Sequence, residues 1–297
     1  MVELDFKKVN FSLEGGGRFM FDPRERWRET PETRKFFSEQ YVKAGRLKDD
    51  EYIENDLIMC KDCHTPRQQY IDNAFGWMYC NCECQELAEK AALSKSKRDS
   101  RIRKLKAMCF EEYPAGLDKT FENDDGRDEE VSRYARQYVE KFTGKGSKGT
   151  VLWGDTSTGK TYMATAIMNA LIERGYLVRY VSVAEMVRTM NDFQSSKTAF
   201  DPYRDCAAIV LDDLGAEGGN TLNLTAITRF LDKAENFKIP IIVTTNMTFA
   251  DMTKAEDKSF KRIADRLLER CDFYQCKGAN RRRAAAKARQ AEISSIF

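Results

Sequence analysis

Gly154-Asp155-Thr156-Ser157-Thr158-Gly159-Lys160-Thr161 carries the strongest chemical signal in this chain, because its residue types and spacing suit the binding of a phosphate chain. Glycines at both ends let the backbone fold round the phosphates, so that successive N–H groups and the positive end of a following helix face the anions. Lys160 is suited to neutralise the β- and γ-phosphates and Thr161 to ligate Mg²⁺, with Tyr162 in the same nucleotide-binding stretch. The ligand implied is a nucleoside triphosphate, ATP with its Mg²⁺. Downstream, the apolar run Ala207–Leu211 ends in Asp212-Asp213. A buried parallel strand delivers acids to a phosphate site in this way, Asp212 to hold Mg²⁺ directly or through water and Asp213 to orient and polarise the attacking water. The run Ile239–Val243 ends in Thr244-Thr245-Asn246, and Asn246 is suited to hold the lytic water against the γ-phosphate without adding charge. Each of these features also has a plainer reading as a turn. Their order along one chain favours the site.

A second chemistry lies upstream. Five of the nine cysteines fall in one window, Cys60-Lys-Asp-Cys63 and Cys80-Asn-Cys82-Glu-Cys84. A C-x₂-C knuckle offers two thiolates from one turn, and a second cluster closes a tetrahedral site whose expected occupant is structural Zn²⁺. We assign the ligands to Cys60, Cys63, Cys80 and Cys82, with Cys84 competing for the last place. The single histidine, His64, follows a ligand directly, which points it away from the metal. Disulfides are the weaker reading in a chain without an export pattern. Tyr70, Phe75, Trp77 and Tyr79 are aromatics that pack over so small a fold more readily than they form a base-stacking platform. Cys109, Cys206, Cys271 and Cys276 read as small apolar residues.

These groups need elements to hold them. Thr150–Trp153 is the expected strand before the phosphate loop and Tyr162–Glu173 the expected helix after it. Strand Leu177–Val181, helix Val183–Asp192, the acid-tipped strand, helix Leu222–Phe237, strand Ile239–Val243 and helix Phe260–Cys271 follow. Alternation of this kind predicts an α/β domain with a mainly parallel sheet. Residues 1–59, with a helix-like stretch at Pro31–Ala44, read as an adaptor segment; 60–93 as the zinc-binding module; 94–114 as a basic helical linker; 115–283 as the ATPase domain; and 284–297 as a basic C-terminal extension.

At 297 residues, 42% hydrophobic and 32% charged, the composition is that of a soluble globular protein holding one nucleotide-binding core and a smaller appendage. No apolar run approaches bilayer-crossing length and the start lacks a signal-peptide pattern, so the expected compartment is the cytoplasm, with no membrane partner. A net charge of +2 hides two basic blocks. Lys95–Lys106 holds seven bases against one acid, and Lys277–Arg289 six against none. Such blocks either contact nucleic-acid phosphates or form solvated helix faces.

Taken in order, TFEN (120–123), GDTSTGKT, VRYVS (178–182), VLDDLGAE (210–217), IVTTN (242–246), RIADRLLERC (262–271) and GANRR (278–282) resemble the DnaC/IstB family of AAA+ ATPases over roughly residues 115–283. The resemblance implies an AAA+ P-loop fold and a role in DNA replication or transposition. It places Arg262 at the arginine finger that reaches a neighbouring subunit's ATP, a task suited to an always-charged guanidinium. Arg282 falls at the sensor-2 arginine, with Arg281 or Arg283 able to take its place. The usual loop of that family has glycine where Ser157 stands. A zinc module ahead of the core resembles the helicase-loader side of the family. The expected activity is therefore ATP hydrolysis, stimulated by DNA or self-assembly, by a protein that self-associates through the AAA+ interface, binds a replicative DNA helicase and delivers it to single-stranded DNA. A transposase helper of the IstB kind is the near alternative. A small-molecule phosphotransferase is the distant one, and it leaves the VLDDLGAE, TTN and cysteine features unexplained.

Overall fold

A computed structural model describes residues 29–71, 75–126, 128–192, 198–215, 220–254, 258–278 and 289–290. The chain divides between Ser96 and Lys97 into two compact units.

In the smaller unit, Thr30 starts helix α1 (Pro31–Lys43). Its hydroxyl accepts the Thr33 N–H at 3.2 Å, the Thr33 hydroxyl accepts the Thr30 N–H at 3.1 Å, and Pro31 occupies a position that needs no donor. Strands β1 (Glu51–Glu54) and β2 (Leu57–Cys60) form an antiparallel hairpin. Asn55 and Asp56 at its tip have φ of 48° and 61°, the left-handed pair that a two-residue turn matched to strand twist requires. A second antiparallel pair joins β3 (Gln68–Tyr70) to β4 (Trp77–Tyr79). Helix α2 (Glu83–Cys109) begins just beyond, with Glu83 and Glu86 in its first turn. It starts inside the cysteine window, well before the linker expected at residue 94.

The larger unit is a five-stranded, wholly parallel sheet, the α/β architecture expected. After helix α3 (Glu129–Lys141) come β5 (Gly149–Trp153), α4 (Lys160–Glu173), β6 (Val178–Ser182), α5 (Val183–Asn191), β7 (Ala208–Leu214), α6 (Thr221–Asn236), β8 (Ile241–Thr245), α7 (Phe249–Thr253), α8 (Lys258–Arg270) and β9 (Cys271–Gln275). The spatial order is β6-β7-β8-β5-β9, so β8 separates the strand that feeds the phosphate loop from the strand that carries the acids. Successive strand residues face opposite layers. Val151, Ile209, Leu211 and Val243 pack under α5, α6 and α8, whereas Leu152, Val178, Val210 and Ile242 pack under α3 and α4.

Three differences from the sequence expectation bear on the site. Strand β8 begins at Ile241 because Pro240 has no N–H to give a ladder. The acid-bearing strand runs on through Asp212-Asp213 to Leu214, with an irregularity against β8 between Leu211 and Leu214. Helix α8 stops at Arg270, and Cys271–Gln275 pairs with β5 as an edge strand. Helix α3 was also unforeseen, although Val131, Ala135 and Val139 supply its buried stripe and the Asp128 side chain caps it.

Candidate functional site

Strand β5 delivers the chain into the loop at Gly154, which has φ 146°; a Cβ there would lie 2.3 Å from the Cys276 carbonyl oxygen, so glycine alone fits. Gly159, at φ 97°, turns the chain into α4 and leaves the first N–H groups of that helix at the cleft. Ser157 holds φ 65°, the conformation that glycine in the resembled family would adopt freely, and its hydroxyl is buried without a protein partner. The Thr158 hydroxyl donates to the Asp155 carbonyl at 3.0 Å, tying the loop across itself. Lys160 is buried, and its Nζ donates to the carbonyls of Gly154 (3.0 Å) and Asp155 (2.6 Å). Burial lowers its pKa, with nearby acids, among them Asp213, Asp155 and Asp212, acting in the opposite direction.

A cleft of about 490 Å³ opens over this loop. It is lined by the loop and the start of α4 (Thr156, Ser157, Gly159, Lys160, Thr161 and Tyr162), by the ends of β7 and β8 (Asp212, Asp213, Thr244 and Asn246), and by Tyr113, Lys119 and Tyr180. The strand irregularity positions the acids. Asp213 sits at φ 65°, and its N–H donates to the Thr244 hydroxyl at 2.9 Å. That hydroxyl in turn donates to Asp212 Oδ1 at 2.5 Å. Thr245 closes the defect by donating to the Leu214 carbonyl at 2.7 Å. The two threonines thus serve backbone and carboxylate groups that an even ladder would leave differently paired. Asn246, just past β8, is exposed at the cleft. An arrangement of loop N–H groups, the Lys160 ammonium, the Thr161 hydroxyl and two acids can bind a polyphosphate with its divalent cation and activate a water beside it.

Arg262 lies exposed on α8 and is not among the residues lining this cleft, whereas Arg266 is engaged by Asp232 at 2.5 Å. Arg281, Arg282 and Arg283 lie outside the described residues, as does most of the Lys277–Arg289 block. In the other basic block, Arg98 and Arg101 donate to the carbonyls of Glu173 and Gly175, each at 3.3 Å, and Lys106 pairs with the Glu173 carboxylate at 2.5 Å. Those bases close the C-terminal end of α4.

In the smaller unit the sulfurs of Cys60, Cys63, Cys82 and Cys84 all lie within 4.8 Å of one another. Sulfurs bound tetrahedrally at about 2.3 Å to one Zn²⁺ lie roughly 3.8 Å apart, so the set fits that ion. Cys82 and Cys84, expected to compete for the last place, both belong to the set, and Cys80, expected as a ligand, does not. The Cys80 N–H donates to the Arg67 carbonyl at 2.8 Å, continuing the β3–β4 pairing, while the first turn of α2 brings Cys84 to the cluster. The thiols share hydrogen bonds. A bond from the Thr65 hydroxyl lowers Cys63 to about 6, and bonds to Cys82 and Cys63 push Cys84 up to about 12. His64, at φ 53°, has its Nδ1 2.9 Å from the Tyr52 hydroxyl and takes no place in the cluster. None of the nine cysteines is in a disulfide. Tyr41 stacks on Tyr79, and Tyr70 meets Trp77 edge to face, as packing aromatics do.

The sequence reading missed Arg67. Its guanidinium is 1% exposed, pairs with Glu51 (2.9 Å) and Asp50 (2.7 Å), and reaches Cys60 Sγ at 3.4 Å. The Tyr79 hydroxyl adds a 2.5 Å bond to Glu51. An arginine between a C-x₂-C knuckle and an aromatic strand carries no motif that would reveal this. Tyr180, within VRYVS, likewise carries no local signal of its place at the cleft.

The replicative helicase loader DnaC of Escherichia coli (strain K12) is 30% identical over 174 residues, 57% of this chain and 66% of that protein, so the match spans just under two thirds of the relative's length. The replicative helicase loader DnaI of Bacillus subtilis (strain 168) is 24% identical over 84% of this chain and 91% of its own. A crystal structure of DnaI aligns with TM-score 0.47 at 26% identity, covering 56% of this chain and 92% of that one. No helix among the described residues is long and apolar enough to cross a membrane. Residues 85–289, which include the phosphate loop, both acids and β8, match the IstB-like ATP binding protein family, and this chain belongs to that family.

Proposed function

We propose that this protein is an ATP-driven loader that binds a hexameric replicative DNA helicase and delivers it to single-stranded DNA. The observation that carries the reading is the convergence of Lys160, Thr161, Asp212, Asp213 and Asn246 on one cleft, in a chain that also bears a four-thiol cluster ahead of the ATPase unit. In this reading the loop N–H groups, Lys160 and Thr161 hold ATP and Mg²⁺, Asp212 meets the metal, and Asp213 and Asn246 orient the attacking water. Arg262, exposed on α8, completes the site of a neighbouring copy, and Arg282 contacts the nucleotide from the C-terminal segment. Zn²⁺ on Cys60, Cys63, Cys82 and Cys84 fixes the fold of the smaller unit, which docks on the helicase. The extended similarity to DnaI supports the loader over a transposase helper, because it takes in the cysteine-bearing region that the family match leaves mostly outside.

The test is reconstitution of the full chain with the hexameric replicative helicase of its own cell on single-stranded DNA. Wild type should co-migrate with the helicase and hydrolyse ATP faster when DNA is present. Lys160→Ala should lose ATP binding, and Asp213→Asn should keep binding and lose most turnover; Asn also tolerates the left-handed backbone at this position. Capture of a transposase in place of the helicase would assign the other branch of the family, and equal nucleotide affinity for wild type and Lys160→Ala would sink the site.

A further inference from the structure

A carboxylate on a strand end turns easily about its last torsion, so an acid that must present one oxygen to a metal needs something to fix its plane. Asp212 is fixed from both sides. Strand β7 lies between β6 and β8, and each neighbour sends one hydroxyl to one carboxylate oxygen: Thr244 on β8 donates to Oδ1 at 2.5 Å and Tyr180 on β6 donates to Oδ2 at 2.7 Å. Tyr180 pairs in register with Val210, two residues ahead of Asp212, and an aromatic side chain spans that diagonal. The tyrosine is itself held. Its ring stacks on Tyr113 with centroids 4.0 Å apart and planes 10° from parallel, and the Lys119 ammonium lies 4.6 Å from the Tyr113 ring and donates to its hydroxyl. All three side chains line the nucleotide cleft.

We propose that Tyr180 is a positioning residue for the metal, its stacked phenol locking the Asp212 carboxylate in the orientation in which it meets nucleotide-bound Mg²⁺. The inference rests on the reading of the cleft as an ATP·Mg²⁺ site. Each hydroxyl uses one lone pair of its carboxylate oxygen and leaves others for a cation or its water. Burial first, and then the Asp212 charge, raise the phenol above its ordinary pKa. Removing an outer partner of a metal ligand typically weakens metal affinity about 10-fold to 100-fold.

The experiment uses the full, zinc-loaded chain and a fluorescent, non-hydrolysable ATP analogue, titrated first without added Mg²⁺ and then with rising Mg²⁺. Tyr180→Phe keeps the ring and its stack and deletes only the hydroxyl. It should leave Mg²⁺-free affinity within about twofold of wild type and raise the Mg²⁺ concentration for half-maximal enhancement about 10-fold. Asp212→Asn sets the reference shift, and adding Tyr180→Phe to it should change nothing further. Tyr113→Leu, which leaves the Tyr180 hydroxyl in place but frees the Tyr180 ring from its stack, should shift the Mg²⁺ midpoint in the same direction by a smaller factor, and it serves as the test if Tyr180→Phe does not fold. A wild-type Mg²⁺ midpoint in Tyr180→Phe, or in Tyr113→Leu where only that variant folds, alongside a shifted Asp212→Asn, would overturn the inference and leave the ATP site standing. Absence of nucleotide binding by wild type, or of any shift in Asp212→Asn, would overturn the reading beneath it.

Discussion

Buried side chains in the two units are of different kinds. Among the described residues up to Ser96, the buried apolar side chains are Ile58, Cys60 and Cys82, accompanied by the buried polar Ser38, Glu51, Arg67 and Gln68. From Lys97 onward, two apolar layers cover the faces of a parallel sheet, with Phe230, Ile167, Met168 and Leu171 fully enclosed. A small unit cannot bury enough apolar area to offset its chain entropy. It is held instead by directional ties, the thiol cluster and the Arg67–Glu51 pair. The larger unit is held by non-directional packing, and that surplus lets it keep strained residues at its site.

The sharpest break of this comparison is metal removal. Structural Zn²⁺ contributes on the order of 10–16 kcal/mol of apparent binding free energy. Chelation, or Cys60→Ser with Cys84→Ser, should abolish amide-exchange protection in β1 to β4 and leave β5 to β9 protected and ATP bound. Loss of protection in both units together would show that they are not independently stable.

Packing gives the converse. Phe230 is fully buried, with the rings of Phe200 and Tyr203 at 5.1 and 5.3 Å. Phe230→Ala should cost about 3–5 kcal/mol, read as a lower denaturant midpoint for the larger unit with zinc content unchanged.

Arg67→Met should cost the smaller unit a similar amount, about 3–5 kcal/mol, because it strands the Glu51 charge. Adding Glu51→Leu should recover much of that loss, since the desolvation penalty leaves with the charge. Glu51 also supplies a pH signature. Burial raises its carboxyl, but bonds from the Lys48 N–H, Tyr79 and Arg67 outweigh that and hold it below the usual carboxylate range. A depressed carboxyl contributes stability that is complete above the unfolded value, about 4.3, and is lost as pH falls through the lower folded value. The stability gap between wild type and Glu51→Gln, both zinc-loaded, should therefore be constant near neutrality and narrow only in acid.

The same contrast explains what the sequence could and could not disclose. The phosphate loop is local: one strand, two glycines and one helix place Lys160 and Thr161, and all are contiguous. The acids of β7 were legible because an apolar run led into them, but the irregularity that turns Asp213 depends on Thr244 and Thr245 from another strand. Cys60 and Cys63 were legible from one turn. That Cys82 and Cys84 both join the cluster while Cys80 does not depends on β3–β4 pairing, which reaches Cys80, and on α2 starting at Glu83, for which the acidic first turn was the available signal. Arg67, Tyr180 and strand β9 depend on tertiary partners and have no local signature.

The smallest predicted effect concerns strain. Among the described residues, those other than glycine with positive φ in the smaller unit are Asn55, Asp56 and His64, types that tolerate the left-handed region. In the larger unit they are Ser157, Asp213 and Lys238, two of them at the cleft. For a serine, that conformation costs roughly 1–2 kcal/mol. Ser157→Gly relieves it but lets the unfolded chain gain about 0.5–1 kcal/mol of backbone freedom, so the larger unit should gain about 0.5 kcal/mol net. Ser157→Ala keeps the Cβ and therefore the strain, and should lie below the glycine variant in thermal midpoint. If alanine matched glycine, the stabilisation would come from removing the buried, unpartnered hydroxyl and not from the backbone, and the strain would be no property that separates the two units.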